Sequence, residues 1–117
     1  MTAKVTIYHN PRCSKSRETL ALLHEQGIEP EVIEYLKDPP SAATLRALLK
    51  QLGIKPRELL RTKEEAYKAA GLDRPGVSDE QVIAAMVEHP VLIERPIVVA
   101  NKKAALGRPP EAVLKIL

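Results

Sequence analysis

Tryptophan and phenylalanine are absent from the chain, and tyrosine occurs only three times in its 117 residues. Stacking platforms for single-stranded nucleic acid are therefore scarce, and a core has to come from Leu, Ile, Val, Ala and Met. There is one cysteine, so an intramolecular disulfide is excluded and a reducing, cytoplasmic setting is expected. No apolar run approaches the ~18 residues of a membrane span, and the N-terminus turns polar by His9. Neither a signal peptide nor a membrane partner is expected. A strong charge of one sign is also lacking. The net charge is +3, with acids and bases interspersed as in Arg61-Thr62-Lys63-Glu64-Glu65. That pattern describes a mixed, solvated surface, not a nucleic-acid patch. No apolar surface stripe stands out, so a monomer is expected.

What remains is a chain of the right length for one domain, residues 1–117, around one core. Val5-Thr6-Ile7-Tyr8 has the character of a strand. Residues 14 to 26 carry Leu20 and Leu23 at helical spacing, and Gly27 suits the position just past a helix end. Val32–Leu36 reads as a second strand, parallel to the first because a helix joins them. Asp38-Pro39-Pro40 then breaks the chain. Residues 41 to about 90 are expected to be an all-helical insertion. Ser41 caps a helix with Leu45, Leu48, Leu49 and Leu52 on one face and Gly53 as its stop. Pro56 opens a short helix ending near Arg61. Ser78-Asp79-Glu80-Gln81 has the form of a capping box. Strand character returns at Ile97-Val98-Val99-Ala100, turns at Asn101-Lys102 and continues around Ala104–Leu106. Pro109 or Pro110 starts a last helix. The order is β-α-β, helical insertion, β-β-α: an α/β, thioredoxin-like core with a mixed four-stranded sheet.

The lone cysteine lies in His9-Asn10-Pro11-Arg12-Cys13-Ser14-Lys15-Ser16-Arg17, between the first strand and the first helix. Cations flank it, and a helix start presents unpaired N–H groups and the positive end of the peptide dipoles. Each of these favours thiolate over thiol. The loop from Asn10 to Ser16 is also built to face an oxyanion. A phosphatase-like Cys-x5-Arg loop is excluded, because the arginine follows Cys13 by four positions. Any adduct on Cys13 needs a resolving thiol from outside, such as glutathione or a dithiol protein. His24 and His89 read as structural. No Cys-x-x-Cys or His-x-x-x-His spacing points to a metal.

Taken together, separated motifs resemble the glutaredoxin-dependent arsenate reductases of the ArsC type over essentially the whole chain. The motifs are His9-Asn10-Pro11-x-Cys13-x-x-Ser16-Arg17, Leu59-Leu60-Arg61, His89-Pro90-x-Leu92-Ile93-x-Arg95-Pro96-Ile97-Val98 and Gly107-Arg108-Pro109. The resemblance implies that Cys13 is the nucleophile and that Arg61, Arg95 and Arg108 hold the oxyanion. A planar, permanently charged guanidinium suits that task. It implies that His9 assists ionisation of the cysteine, with Asn10 supporting the loop. It also makes Pro96 the cis-proline that faces the cysteine. Ser16 is placed to donate a hydrogen bond to the thiolate. No bound cofactor is implied; glutathione is the co-substrate and glutaredoxin the protein partner. The chain departs from the best-known members at Ser14 and Lys15, and it ends soon after the last helix, where many relatives carry a tail.

Two other readings fit parts of the same sequence. Cys13-Ser14-Lys15-Ser16 has the Cys-x-x-Ser form of a monothiol glutaredoxin-like protein, or of a glutathione-dependent reductase of another substrate. The fold is also that of Spx-like regulators, which bind RNA polymerase, although those that sense redox state typically carry Cys-x-x-Cys.

Overall fold

The computed structural model describes residues 4–117. Four strands form one sheet in the order β2-β1-β3-β4: β1 Thr6–His9, β2 Glu31–Glu34, β3 Ile97–Ala100 and β4 Lys103–Leu106. β1 and β2 run parallel, joined by helix α1 (Ser14–Glu25), while β3 is antiparallel to both β1 and β4. This is the mixed thioredoxin-like sheet that the element order predicts.

Contacts divide the chain into two units, one running to Asp38 and resuming at Arg95, the other Pro39–Glu94. In the first unit Ile7 and Val98 are paired across β1 and β3 and share a face with Val5 and Ala100. Leu23 of α1 and Val113 and Ile116 of the C-terminal segment pack on that face, and all seven are buried. The apolar alternation of two strands thus finds its cover in one helix and one short terminal turn. The C-terminal segment Pro110–Ile116 is a 3-10 helix, where the two prolines had suggested an ordinary last helix. The β3–β4 turn places Asn101 at φ 53° and Lys102 at φ 63°. These are the angles of a type I′ two-residue turn, with positive φ at both positions, which Asn tolerates and Lys does not favour. Asn101 Nδ2 donates to the Ile116 carbonyl at 2.8 Å, which ties the turn to the C-terminal segment.

The second unit is helical: α2 Ala42–Leu52, α3 Glu65–Ala69 and α4 Asp79–Glu88, with 3-10 turns at Pro56–Leu59 and Pro90–Leu92. Ser41 Oγ accepts from Thr44 N–H at 3.1 Å, and Gly53 closes α2 at φ 71°. Ser78 and Gln81 form the reciprocal capping box at the start of α4. Leu45, Leu48 and Leu49 of α2 and Val82, Ile83 and Met86 of α4 are buried. α3 carries no buried residue, so it leaves no apolar stripe by which a sequence would announce it. One antiparallel bridge, Leu60 with Ile93, accompanies the helices; the Arg61 N–H donates to the Leu92 carbonyl and the Glu94 N–H to that of Leu59.

Candidate active site

β1 ends at His9, and the chain turns through Asn10-Pro11-Arg12 before α1 begins at Ser14. Asn10 holds this turn from both ends. Its carbonyl accepts the Cys13 N–H at 3.0 Å and its Oδ1 accepts the Arg12 N–H at 3.0 Å. Arg17 reaches back from α1 to donate to the Pro11 carbonyl at 2.9 Å. Cys13 is therefore the N-cap residue of α1, with extended φ and ψ, and no side chain caps the free N–H groups. The first turn also contains no acidic residue, so the positive end of the helix is left to the sulfur.

Cys13 is buried, with 8% of its surface exposed, and it is a free thiol. Burial is the largest single influence on it and pushes its pKa up. The Ser16 N–H, the Arg95 charge, the Lys15 N–H and the Arg108 charge oppose burial and together prevail, holding the thiol below its ordinary range. Two backbone donors and two guanidiniums thus stabilise a thiolate that burial alone would forbid.

His9 and Ser16 form a second, buried pair. His9 Nδ1 lies 2.6 Å from Ser16 Oγ, which also accepts the Asn10 N–H at 3.0 Å. Burial lowers the His9 pKa, and Arg17 adds to this while Glu34 opposes it. In the neutral ring so favoured, Nδ1 and Ser16 Oγ share one proton, and the ring tautomer decides which of the two donates. Ser16 also serves the sulfur through its backbone N–H. The His9–Ser16 contact ties the end of β1 to the first turn of α1.

The arginines come from the hairpin. β1 and β3 are antiparallel, so the residues preceding β3 lie at the same end of the sheet as the residues following β1. The β3–β4 register Ile97–Leu106 extends beyond the strands, since the Gly107 N–H donates to the Pro96 carbonyl at 2.9 Å. The next pair outward is Arg95 with Arg108, and Arg108 Nε donates to the Arg95 carbonyl at 2.9 Å. Arg108 Nη2 then stands 4.0 Å from Cys13 Sγ. Arg95 is 8% exposed. The Arg95–Pro96 peptide is cis, at the position where the resemblance implies a cis-proline; Arg108–Pro109 is cis as well.

Cys13, His9, Asn10, Ser16, Arg95, Pro96 and Arg108 are thus brought to one end of the sheet. Arg61 lies in the helical unit, where its guanidinium pairs with Glu64 at 2.8 Å. The backbone donors of Lys15 and Ser16 are functional groups that reading side chains passes over. The helix start just after Cys13 is the signal that reveals them. Among the described residues no group of three or more His, Cys, Asp or Glu is placed to hold a metal ion, and no helix is long and apolar enough to cross a membrane.

The ArsC family model matches residues 8–116. The uncharacterized protein YfgD of Escherichia coli K12 is 62% identical over 118 residues, covering 100% of this chain and 99% of its own. An arsenate reductase of Haemophilus influenzae is 52% identical over 114 residues, covering 97% and 98%. A solved structure of an arsenate reductase from Vibrio cholerae superposes with a TM-score of 0.97 at 57% identity, over 100% of both chains.

Proposed function

The chain belongs to the ArsC family, and from that premise we propose that it is an arsenate reductase, an oxidoreductase whose Cys13 thiolate attacks arsenate. The observation that carries this reading is the sulfur at the open start of α1 with Arg108 Nη2 4.0 Å away. A nucleophile and an anion-binding charge share one small space there.

In the first step the Cys13 thiolate attacks dihydrogen arsenate. An S–As bond forms, an As–O bond breaks, and the leaving hydroxide takes up a solvent proton, equivalent to the one the thiol gave up, and departs as water. Arg108 and Arg95 neutralise charge on the arsenate oxygens, and the family pattern adds Arg61 to this set. Glutathione then attacks the Cys13 sulfur. An S–S bond forms and the S–As bond breaks with its electron pair left on arsenic, which becomes arsenite. The glutathione proton passes to an arsenite oxygen. A glutaredoxin dithiol reduces the Cys13–glutathione disulfide and returns the thiol. The chain has no second cysteine, so both reductants have to come from outside, in a reducing compartment such as the cytoplasm. Nothing in the scheme calls for a second subunit, and a monomer suffices.

The test is intact-mass analysis after incubation with arsenate and glutathione, without glutaredoxin. A glutathione adduct on Cys13 that requires arsenate is the expected result. An unmodified protein, or an adduct formed equally well without arsenate, contradicts the proposal.

A further inference from the structure

Gly107 is a glycine for want of space. Its φ lies outside the left-handed region, so the backbone there is one that other residues adopt. A Cβ built on it would collide with Thr19 Oγ1, lie 2.7 Å from Pro96 Cγ and lie 3.1 Å from Thr19 Cγ2. Neither neighbour can give easily. Thr19 is fully buried in α1, and its Oγ1 is fixed by donating to the Lys15 carbonyl at 2.8 Å. Pro96 is a buried, rigid ring whose carbonyl accepts the Gly107 N–H. Interiors packed at this density pass a displacement on to whatever is next in line. Here that is Arg108.

We propose that Gly107 is a positioning residue for the candidate site, its missing side chain seating the end of β4 between Thr19 and Pro96 so that Arg108 reaches Cys13. The inference rests on reading Cys13 as the attacking thiolate. It adds to that reading the means by which the hairpin arginine is set against the helix start. A methyl group at 107 pushes the 107–108 backbone away from α1 and β3. Arg108 then loses its place beside Cys13 Sγ and its hold on the Arg95 carbonyl. The stem of the residue is untouched; only its aim changes. For arsenate reduction the expected loss in kcat/KM is between about ten- and a hundredfold, the scale of an ångström of misplacement.

The test reads the aim of Arg108 without arsenate. Cys13 is alkylated with iodoacetate, an anion, and with iodoacetamide, its neutral counterpart, and the two rates are compared at one pH. A guanidinium beside the sulfur favours the anion. Gly107→Ala is expected to lower the iodoacetate-to-iodoacetamide ratio toward that of Arg108→Ala. The double variant Gly107→Ala/Arg108→Ala should fall no further, because both act through one group. Thr19→Ala removes atoms that the new methyl meets, and in the Gly107→Ala background it should recover part of the ratio. A wild-type ratio in folded Gly107→Ala overturns the proposal, as does a double variant showing the product of both losses. If Gly107→Ala unfolds the protein even beside Thr19→Ala, the glycine is a requirement of the fold and the positioning role is refuted. Arsenite formation plays no part in these outcomes, so failure of the reductase assignment would be seen separately.

Discussion

Arg108 Nη2 stands 4.0 Å from Cys13 Sγ across 95 positions of chain, while its Nε holds the Arg95 carbonyl at 2.9 Å. One guanidinium therefore performs two tasks. It stabilises the thiolate, and it locks the backbone of the second arginine. The charge-assisted contact to sulfur and the hydrogen bond to the carbonyl use different nitrogens of the planar group.

Removing that group should be costly for the chemistry and cheap for the fold. Arg108→Ala is expected to lower kcat/KM for arsenate by about a hundredfold or more, the usual cost of one anion-stabilising donor. Arg108→Lys should recover little, since an ammonium cannot make both contacts. Steady-state kinetics on the two variants, with urea unfolding as the control, check this. An arginine-to-lysine variant with native kcat/KM contradicts it.

The ionisation of Cys13 has a consequence for stability. Its folded pKa is depressed, so between the folded and the ordinary pKa the unfolded chain binds more protons. Stability from this group is therefore fully present above the ordinary thiol pKa of about 8.5 and is lost as pH falls through the folded value. The stability difference between the native protein and Cys13→Ser is expected to grow as pH rises through that window. Urea unfolding of both proteins at a series of pH values measures it. A difference that is flat or shrinks with pH contradicts the balance of burial against Ser16, Arg95, Lys15 and Arg108.

The His9–Ser16 pair should reveal itself in the same kind of experiment. Ser16→Ala leaves His9 Nδ1 and the Asn10 N–H without their buried partner, a loss of about 1–3 kcal/mol. The His9 pKa is also depressed, so the unfolded chain takes up the extra proton as pH falls below about 6.5. Stability should decline there, and His9→Gln should flatten the decline. An unchanged acid limb in His9→Gln would show that the ring is not buried neutral.

Much of this was legible in the sequence because several levels agreed. Gly27, Ser41, Gly53 and the Ser78–Gln81 box mark helix ends by local chemistry, and the structure has helix ends there. Ile97–Ala100 is β3 residue for residue. Cys13 stood out because polar and cationic neighbours surround it. The remainder depends on tertiary structure. α3 has no buried face to advertise it. The buried pairing of Ser16 Oγ with His9 Nδ1 depends on the fold, which no spacing of residues encodes. Gly107 carries no positive φ, so only its approach to Thr19 and Pro96 explains it.

Lys102 illustrates a local cost accepted for the hairpin. It sits at φ 63°, where a side chain is disfavoured by roughly 1–2 kcal/mol. Lys102→Gly should raise stability by up to about 1 kcal/mol, part of the relief being offset by the entropy of the unfolded glycine. Urea unfolding reads the change directly, and a destabilised variant would contradict the turn geometry.

The central claim is that Cys13 delivers external electrons to an oxyanion of arsenic. The most direct measurement is arsenite formation from arsenate with glutathione and glutaredoxin, comparing the native protein with Cys13→Ser. The account predicts steady turnover in the first and none in the second. Equal arsenite production by the two proteins would contradict it.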